Sequence, residues 1–239
     1  MTESIPCTVI VGVGPGLGAA LAERFAREGH AVALLSRSAG HRDTIIERIR
    51  AGGGHAHGYG CDVREPQSVA AAFEQVRATL GDPEVLIYNA GLFAVGGLLE
   101  LSPADFENAW RVNCLGGFLA AREVAPAMLA RGRGTLLFTG ATAALRGGAR
   151  FAGLAVGKFG LRALAQSLAR EFGPEGIHVA HVVIDGQIGS PAAYQRSPGR
   201  SADSFLEPAA IADTYWQLHR QPRSAWTLEQ DLRPNVEHF

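Results

Sequence analysis

Four closely spaced glycines are the first residues whose type and spacing could do chemistry. Gly12, Gly14, Gly16 and Gly18 follow an apolar run and precede a stretch with helical periodicity. Glycine lets a chain turn tightly and leaves no Cβ between the backbone and an approaching pyrophosphate. The first N–H groups of a helix are unpaired and attract anions. Because a buried strand precedes the turn and an amphipathic helix follows it, the pattern predicts a dinucleotide site; an ordinary tight turn is the alternative.

Arg37 and Ser38 stand directly after the second predicted strand, where a Rossmann-type site distinguishes its cofactors. An acidic side chain at this point would bind the ribose hydroxyls of NAD. Here a guanidinium lies between the hydroxyls of Ser36 and Ser38, and a guanidinium pairs with a 2′-phosphate through charge-assisted hydrogen bonds. We therefore predict NADP(H) as the preferred cofactor, with NAD(H) as the alternative. A solvated surface arginine is the competing interpretation.

The elements that must position these residues alternate between strands and helices along the whole chain. Apolar runs without polar alternation indicate strands buried on both faces. The alternation predicts right-handed crossovers and an α/β fold, here a single-domain, Rossmann-type, doubly wound parallel sheet with helices on both faces, over residues 1–239. Residues 187–207, rich in Ser, Pro, Gly and Arg, are predicted to form a loop or lid over a substrate. The predicted strands are Cys7–Val11, Ala31–Ser36, His55–Gly60, Val85–Asn89, Thr135–Thr139, Ile177–Ile184 and Trp226–Leu232, and the predicted helices are Ala19–Arg27, His41–Ala51, Glu65–Leu80, Pro103–Arg131, Gly153–Phe172 and Pro208–His219.

Composition excludes several function classes. Lys and Arg number 22 against 23 Asp and Glu, so no strong field is available to hold nucleic acid or an anionic membrane. No apolar run reaches the length of a membrane span, and no signal peptide is recognisable, so we expect a cytoplasmic protein. The three cysteines, Cys7, Cys61 and Cys114, are too few for a disulfide framework, and no Cys, His or acidic set has metal-ligand spacing. We predict no metal.

Gly12, Gly16 and Gly18 give the spacing G-x-x-x-G-x-G, with Leu17 where the plain Rossmann pattern has its third glycine. With this spacing the chain resembles the short-chain dehydrogenase/reductase family over almost its whole length. The resemblance implies an NAD(P)-dependent oxidoreductase and assigns further residues to the cofactor. Those implied to lie near the adenine are Asp62 and Val63; those implied to border the cofactor are Asn89, Ala90 and Gly91; those implied near the nicotinamide and its ribose are Lys158, Gly186, Ile188 and Ser190.

Two catalytic positions implied by the resemblance carry the wrong residues. Family members use a tyrosine four residues before the lysine to pass a proton, and a serine on the fifth strand to orient the substrate oxygen. Lys158 and Asn113 match the family's lysine and asparagine, but Leu154 replaces the tyrosine and Ala141 replaces the serine. General acid–base catalysis is commonly worth 10²–10⁴-fold, so we expect the ordinary mechanism to be impaired.

Other polar side chains are candidates for the missing proton transfer. Thr142 is one residue from the serine position, and a bend at the strand end would bring it, or Thr139, inward. Asp185 stands where the family usually has proline, and Tyr194 lies in the predicted lid. The two histidines of the sixth strand are interpreted as structural. We name Lys158, Asn113 and Thr142 as the candidate catalytic residues.

Three functions therefore remain open. The first is an NADP(H)-dependent oxidoreductase with a non-standard active site, and the second is a non-catalytic NADP(H)-binding protein, either a sensor or an oligomer subunit. The third and weakest is a protein that binds no nucleotide and uses only the scaffold. The substrate is predicted to be a small molecule with an apolar part, from Leu92, Phe93, Leu154 and Phe205. The resemblance also implies a homodimer or homotetramer. Small residues that would permit close helix approach are Gly116, Gly117, Ala120, Ala121, Ala163 and Ala169.

Overall fold

The computed structural model describes residues 5–237; the outermost residues of the predicted 1–239 domain lie outside that range. Seven parallel strands form one sheet in the order β3-β2-β1-β4-β5-β6-β9, and β7 and β8 form a separate parallel pair. The strands are β1 (Cys7–Val11), β2 (Ala31–Ser36), β3 (His55–Gly60), β4 (Val85–Tyr88), β5 (Gly134–Thr139), β6 (Ile177–Ile184), β7 (Gln187–Ile188), β8 (Phe205–Leu206) and β9 (Glu229–Leu232). The helices are α1 (Leu17–Arg27), α2 (Gly40–Ala51), α3 (Pro66–Leu80), α4 (Pro103–Trp110), α5 (Gly116–Arg131), α6 (Ala152–Phe172), α7 (Pro191–Arg196) and α8 (Pro208–His219).

The central strands are apolar on both faces because helices cover both sides of the sheet. Every residue of β1, β4 and β6 is buried. One core layer packs α3, α5 and α6 against the sheet, and the other packs α1, α2 and α8 against the opposite face. The predicted doubly wound sheet is confirmed. None of the helices in residues 5–237 is long and apolar enough to cross a bilayer.

The predicted long helix over Pro103–Arg131 is interrupted. Ser102 caps it as expected, since its Oγ accepts a hydrogen bond from the main-chain N–H of Asp105 at 3.1 Å. Residues Arg111–Leu115 form a π-helical turn between α4 and α5. Such turns shift the helical register and are frequent at functional sites; this one contains Asn113.

Residues 187–207, predicted to be a loop or lid, contain short regular elements, because β7 and β8 pair in parallel and α7 lies between them. Their role as a lid over a substrate stays a prediction. One predicted boundary is corrected. The last strand begins at Glu229 rather than Trp226, since Arg223–Ala225 form a 3₁₀ turn first. The remaining predicted strands and helices agree with the structure within one or two residues, the ordinary uncertainty of element ends.

The sheet positions a ligand site where its strand order reverses. β1 lies between β2 and β4, so the chain winds in one direction through β1, β2 and β3 and in the other through β4, β5 and β6. In open α/β sheets the crevice at such a switch point, at the carboxyl ends of the strands, holds the ligand. The glycine turn, Arg37, Asn89 and Gly140 all follow the carboxyl ends of these strands.

Two neutral histidines, His181 in the core and the half-buried His219, are expected to make the fold acid-labile. His219 is bonded through Nδ1 to Thr135 Oγ1 at 2.9 Å, and its pKa is lowered from 6.5 to about 4 by burial. Burial likewise lowers the pKa of His181 to about 4. Between pH 6.5 and pH 4 the unfolded state then binds more protons than the folded state, so stability falls as pH falls through this window.

Urea unfolding at pH 7 and pH 5 measures this effect. We expect the free energy of unfolding to drop by about 2–4 kcal/mol from the two histidines together. His219→Gln should reduce the drop, whereas His41→Gln, at an exposed position, should leave it unchanged. An equal pH dependence in the wild type and His219→Gln would contradict this account.

Candidate active site

A cleft of about 570 Å³ runs along the carboxyl ends of the central strands. It extends from the glycine turn and the end of β2 to Lys158 on α6. All the cofactor-binding residues predicted from the sequence line it except Gly186, which lines the adjoining cavity described below. The predicted residues lining the cleft are Gly12, Gly14, Gly16, Leu17, Gly18, Arg37, Ser38, Asp62, Val63, Asn89, Ala90, Gly91, Lys158, Ile188 and Ser190.

The glycines of the turn have two different roles: some permit close backbone approach, and one leaves its backbone open to the cleft. At Gly12, φ is +92° and a Cβ would lie 2.3 Å from the main-chain nitrogen of Ala90, so this residue lets two strand ends approach each other. At Gly18 a Cβ would lie 2.9 Å from the Gly12 carbonyl oxygen. At Gly14 a Cβ would have no neighbour within 4 Å. Gly12 and Gly18 therefore shape the turn, while Gly14 leaves its backbone open to the cleft.

The segment after β4 is bonded to the glycine turn. Asn89 donates a hydrogen bond from Nδ2 to the Gly12 carbonyl oxygen at 2.8 Å, and its main-chain N–H donates to Val11. Gly91 lies where a Cβ would be 3.7 Å from Lys158 Nζ. Asn89 thus fixes the segment after β4 against the glycine turn. Gly91 has no side chain to fill the space beside Lys158.

Arg37 and Asp62 line the end of the cleft that is formed after β2 and β3, away from Lys158. The Arg37 side chain is exposed and has no ion pair or hydrogen bond with any residue in 5–237. Asp62 is instead bound by Arg64, whose Nε donates to Oδ1 at 2.9 Å, and this contact lowers the pKa of the Asp62 carboxyl. The Arg37 charge also contributes to the lowered pKa of Asp62, but no hydrogen bond or ion pair with a described side chain engages this guanidinium.

A second cavity of about 530 Å³ adjoins the cleft and is largely apolar. Gly91, Leu92, Gly140, Lys158 and Ile188 line both spaces, so the cavities meet at the lysine. Phe93 packs edge-on against Phe151 with ring centroids 5.6 Å apart. The predicted apolar residues Leu92, Phe93 and Leu154 line this cavity, but Phe205 does not; it packs against Tyr194.

Lys158 is the only lysine in the sequence, and it is buried where the two cavities meet. Its Nζ donates a hydrogen bond to the Thr139 carbonyl oxygen at 2.8 Å. Burial lowers the pKa of Lys158 to about 8. Leu154 lies one helical turn before Lys158 on the same face of α6. Its apolar side chain lines the cavity at the position where the family's tyrosine would place a hydroxyl.

Asn113 orders the loop after β4. Its Oδ1 accepts from the Leu92 main-chain N–H at 3.1 Å, and its Nδ2 donates to the Leu92 carbonyl oxygen at 2.9 Å. A Cβ at Gly157 would lie 2.6 Å from Asn113 Cβ, so α6 packs directly on the π-helical turn. The Asn113 amide is thus committed to the loop that forms the cavity wall.

Thr142 is paired with Asp185. The Thr142 hydroxyl donates to Asp185 Oδ1 at 2.5 Å, and Arg233 lies 3.5 Å from the other carboxylate oxygen. Thr142 lines the apolar cavity. Because its proton is directed at the carboxylate, its remaining lone pairs are available to accept a hydrogen bond.

Three other candidates lie away from the cavity. Thr139 does not turn inward, because its hydroxyl is bonded to Tyr215 at 2.8 Å inside the core. Tyr194 lines neither cavity; its ring packs on Phe205. Ser190 lines the cleft, but its Oγ also accepts from the Ala193 N–H at 3.1 Å and caps α7.

Sequence reasoning missed three features of the site. The π-helical turn at Arg111–Leu115 left no signal, since its residues continue a helical pattern. Phe151 and Arg146 were not singled out, although both line the apolar cavity. Their positions, twelve and seven residues after the end of the fifth strand at Thr139, were the available signal, because loops at the carboxyl ends of strands form the site in such folds.

The residues present fit a nicotinamide dinucleotide. The cleft has an open glycine backbone, a guanidinium without a described partner at the end near β2, and a buried ammonium at the other. No group of three His, Cys, Asp or Glu side chains within residues 5–237 is arranged to hold a metal ion.

Comparisons with known proteins find matches over most of this chain. A family model described as short chain dehydrogenase matches residues 6–197. A short-chain reductase protein, NovJ, from Streptomyces niveus is 30% identical over 228 residues, covering 95% of this chain and 86% of its relative. A short-chain dehydrogenase structure from Rhodopseudomonas palustris is 39% identical with a TM-score of 0.84, over 96% of this chain and 98% of the other. A metagenomic short-chain oxidoreductase in complex with NADP is 29% identical with a TM-score of 0.85, over 99% of this chain and 100% of the other.

Proposed function

The chain belongs to the short-chain dehydrogenase family of oxidoreductases, and on that premise we propose that it is an NADP(H)-dependent oxidoreductase with a non-standard active site. Its substrate is a small molecule with an apolar part. The observation that carries this proposal is the position of Lys158, buried where the cleft of about 570 Å³ meets the apolar cavity.

NADP(H) is the proposed cofactor. The Arg37 guanidinium lines the cleft, has no described partner and is flanked by Ser38, whose carbonyl oxygen accepts from Ser36 Oγ at 2.8 Å. A guanidinium in this position complements a 2′-phosphate. The metagenomic relative in complex with NADP supports the same choice. When bound, the nicotinamide supplies the hydride.

The proton is proposed to come from Lys158. Among the side chains lining the apolar cavity, only those of Lys158 and Arg146 are ionisable. Arginine keeps its proton at every relevant pH, whereas burial lowers the pKa of Lys158 to about 8. The ammonium uses one N–H on the Thr139 carbonyl oxygen. The others are free to bind the nicotinamide ribose and the substrate oxygen.

Thr142 is proposed to orient the substrate from the opposite side. Its hydroxyl already donates to Asp185, so it accepts a hydrogen bond rather than giving one. A further hydroxyl or N–H group of the substrate, apart from the reacting oxygen, would satisfy that preference. Asn113 lines the same cavity and is proposed to act as a positioning residue through its two hydrogen bonds to Leu92.

Lys158→Met is the test of this function. We expect the rate of reduction of aromatic and aliphatic aldehydes with NADPH to fall by about 10²–10⁴-fold, the usual contribution of general acid catalysis.

In the wild type, kcat/KM for reduction should fall above pH 8, since the ammonium loses its proton as pH rises through a pKa of about 8. Because the chain has one lysine, a [ε-¹³C]lysine label reports that titration directly by NMR. If the wild type turns over a panel of aldehydes, ketones, imines and alcohols no faster than Lys158→Met does, the proposed enzymatic function is wrong.

The second candidate is a non-catalytic NADP(H)-binding protein. Leu154 and Ala141 favour it, because the site keeps the groups suited to binding and lacks the usual proton-transfer hydroxyls. Tight NADPH binding without turnover, together with a co-purifying partner, would distinguish this function from the first.

A homodimer or homotetramer is also proposed. Gly116, Gly117, Ala120 and Ala121 do not face a partner, because they are buried in the chain's own core. Helix α6 instead exposes Val156, Phe159 and Ala163 along one stripe. Exposed apolar stripes of this kind mark interaction surfaces. Light scattering should give a mass of two or four chains, and Phe159→Glu should lower it; a wild-type monomer would contradict the proposal.

A further inference from the structure

The apolar cavity has one charged residue at its exposed edge. Arg146 lines the cavity and is exposed, four residues beyond Thr142, and its main-chain N–H donates to the Thr142 carbonyl oxygen at 3.2 Å. Lys158 lines both the cleft and the cavity, whereas Arg146 lines the cavity alone. The cavity therefore has a reacting end at the lysine and a cationic end at the arginine.

The charge of Arg146 is not neutralised by the protein. No ion pair or hydrogen bond joins its side chain to any residue in 5–237, and no Asp or Glu lines the cavity. The neighbouring arginines are paired: Arg150 donates to both carboxylate oxygens of Glu100 at 2.8 and 2.6 Å, and Arg162 contacts Glu229 at 2.6 Å. Arg37, which lines the dinucleotide cleft, is likewise without a partner in the described chain.

We propose that Arg146 binds an anionic group of the substrate, a carboxylate or a phosphate ester, at the end of the molecule away from the reacting carbon. The proposal rests on the proposed oxidoreductase function and specifies its substrate class. The carbon body lies against Leu92, Phe93 and Leu154, and the carbonyl or carbinol lies at Lys158. A guanidinium forms bidentate, charge-assisted hydrogen bonds with either anion. Neutral substrates lacking the anion fill the same cavity more weakly.

Binding, rather than turnover, tests Arg146 independently of catalysis. The probes are 4-tert-butylbenzoate, 4-tert-butylphenyl phosphate and the neutral 4-tert-butylbenzamide, titrated into the protein saturated with NADP⁺. We expect at least one anion to bind about tenfold or more tightly than the amide, within the range of a charge-assisted pair. Which anion binds more tightly identifies the group. Arg146→Gln should abolish the preference, and Arg196→Gln, an exposed arginine on α7 outside both cavities, should retain it.

Two results would overturn the proposal: no anion preference in the wild type, or a preference that persists in Arg146→Gln. If the preference persists in Arg146→Gln and is lost in Lys158→Met, the anion is assigned to the lysine. A parallel assay with 4-formylbenzoate and its methyl ester, both with NADPH, separates the two proposals. If neither aldehyde is reduced while the Arg146-dependent binding holds, the oxidoreductase function fails and the anion site stands.

Discussion

Leu154→Tyr combined with Ala141→Ser is expected to raise kcat for carbonyl reduction by about 10²–10⁴-fold over the wild type, the usual contribution of a positioned general acid. Leu154 lies one turn before Lys158 on the same face of α6 and borders a cavity of about 530 Å³, so a phenol has room beside the ammonium. The positive charge of Lys158 would favour the phenolate and so lower the pKa of the new tyrosine. Ala141 precedes Thr142 at the cavity edge, where a serine hydroxyl would meet the substrate oxygen.

Matched variants separate the contribution of the new hydroxyl to the rate from that of the aromatic ring. Leu154→Phe has nearly the same shape as Leu154→Tyr and no proton to give, so it should show no gain. Adding Lys158→Met to the double variant should cancel most of the increase. Equal rates for the Tyr and Phe variants, measured as steady-state NADPH oxidation with one aldehyde, would show that the missing acid is not what limits this site.

Arg37→Asp is expected to lower the NADPH/NADH affinity ratio by about 10–100-fold or more. The substitution removes a charge-assisted contact, which is worth about 1.5–3 kcal/mol, and places a carboxylate where the 2′-phosphate would lie. NADH binding should be unchanged or improved, because an acidic side chain there accepts from the ribose hydroxyls. Dissociation constants from cofactor fluorescence give the ratio.

Arg27→Asp is the control for this change. Arg27 is exposed near the end of α1 and does not line the cleft, so the same charge reversal there alters the general field without touching the cofactor. The wild-type ratio should persist in Arg27→Asp. An unchanged ratio in Arg37→Asp would mean that Arg37 is a surface arginine and that the cofactor preference has another origin.

The fold follows from the sequence because its signals are local. Buried apolar runs, glycine stops and the turn at Gly12 each specify a strand, a helix end or a close approach without reference to distant residues. The π-helical turn around Asn113 depends instead on how α6 packs against it at Gly157, a contact between residues far apart in the chain. Periodicity carries no information about such a contact.

The candidate site was predictable where side-chain identity decides the chemistry and unpredictable where partners do. Arg37 and Lys158 were found from their positions after a strand and within a helix. That Asp62 is bound by Arg64, that Thr142 donates to Asp185, and that Thr139 is bonded to Tyr215 all depend on side-chain direction at strand ends. Backbone bends at those ends set the direction, and sequence spacing does not reveal them.

Hydride transfer itself is the central claim, and a single-turnover experiment with NADPH deuterated on both C4 positions measures it most directly. The enzyme is mixed in excess with 4-formylbenzoate or benzaldehyde, and the alcohol is analysed by mass spectrometry. The proposed function predicts one deuterium in the product with the wild type and a much slower transfer with Lys158→Met. NADPH that binds tightly yet transfers no deuterium to either aldehyde, or to ketone and imine substrates, would contradict it and leave the non-catalytic function in its place.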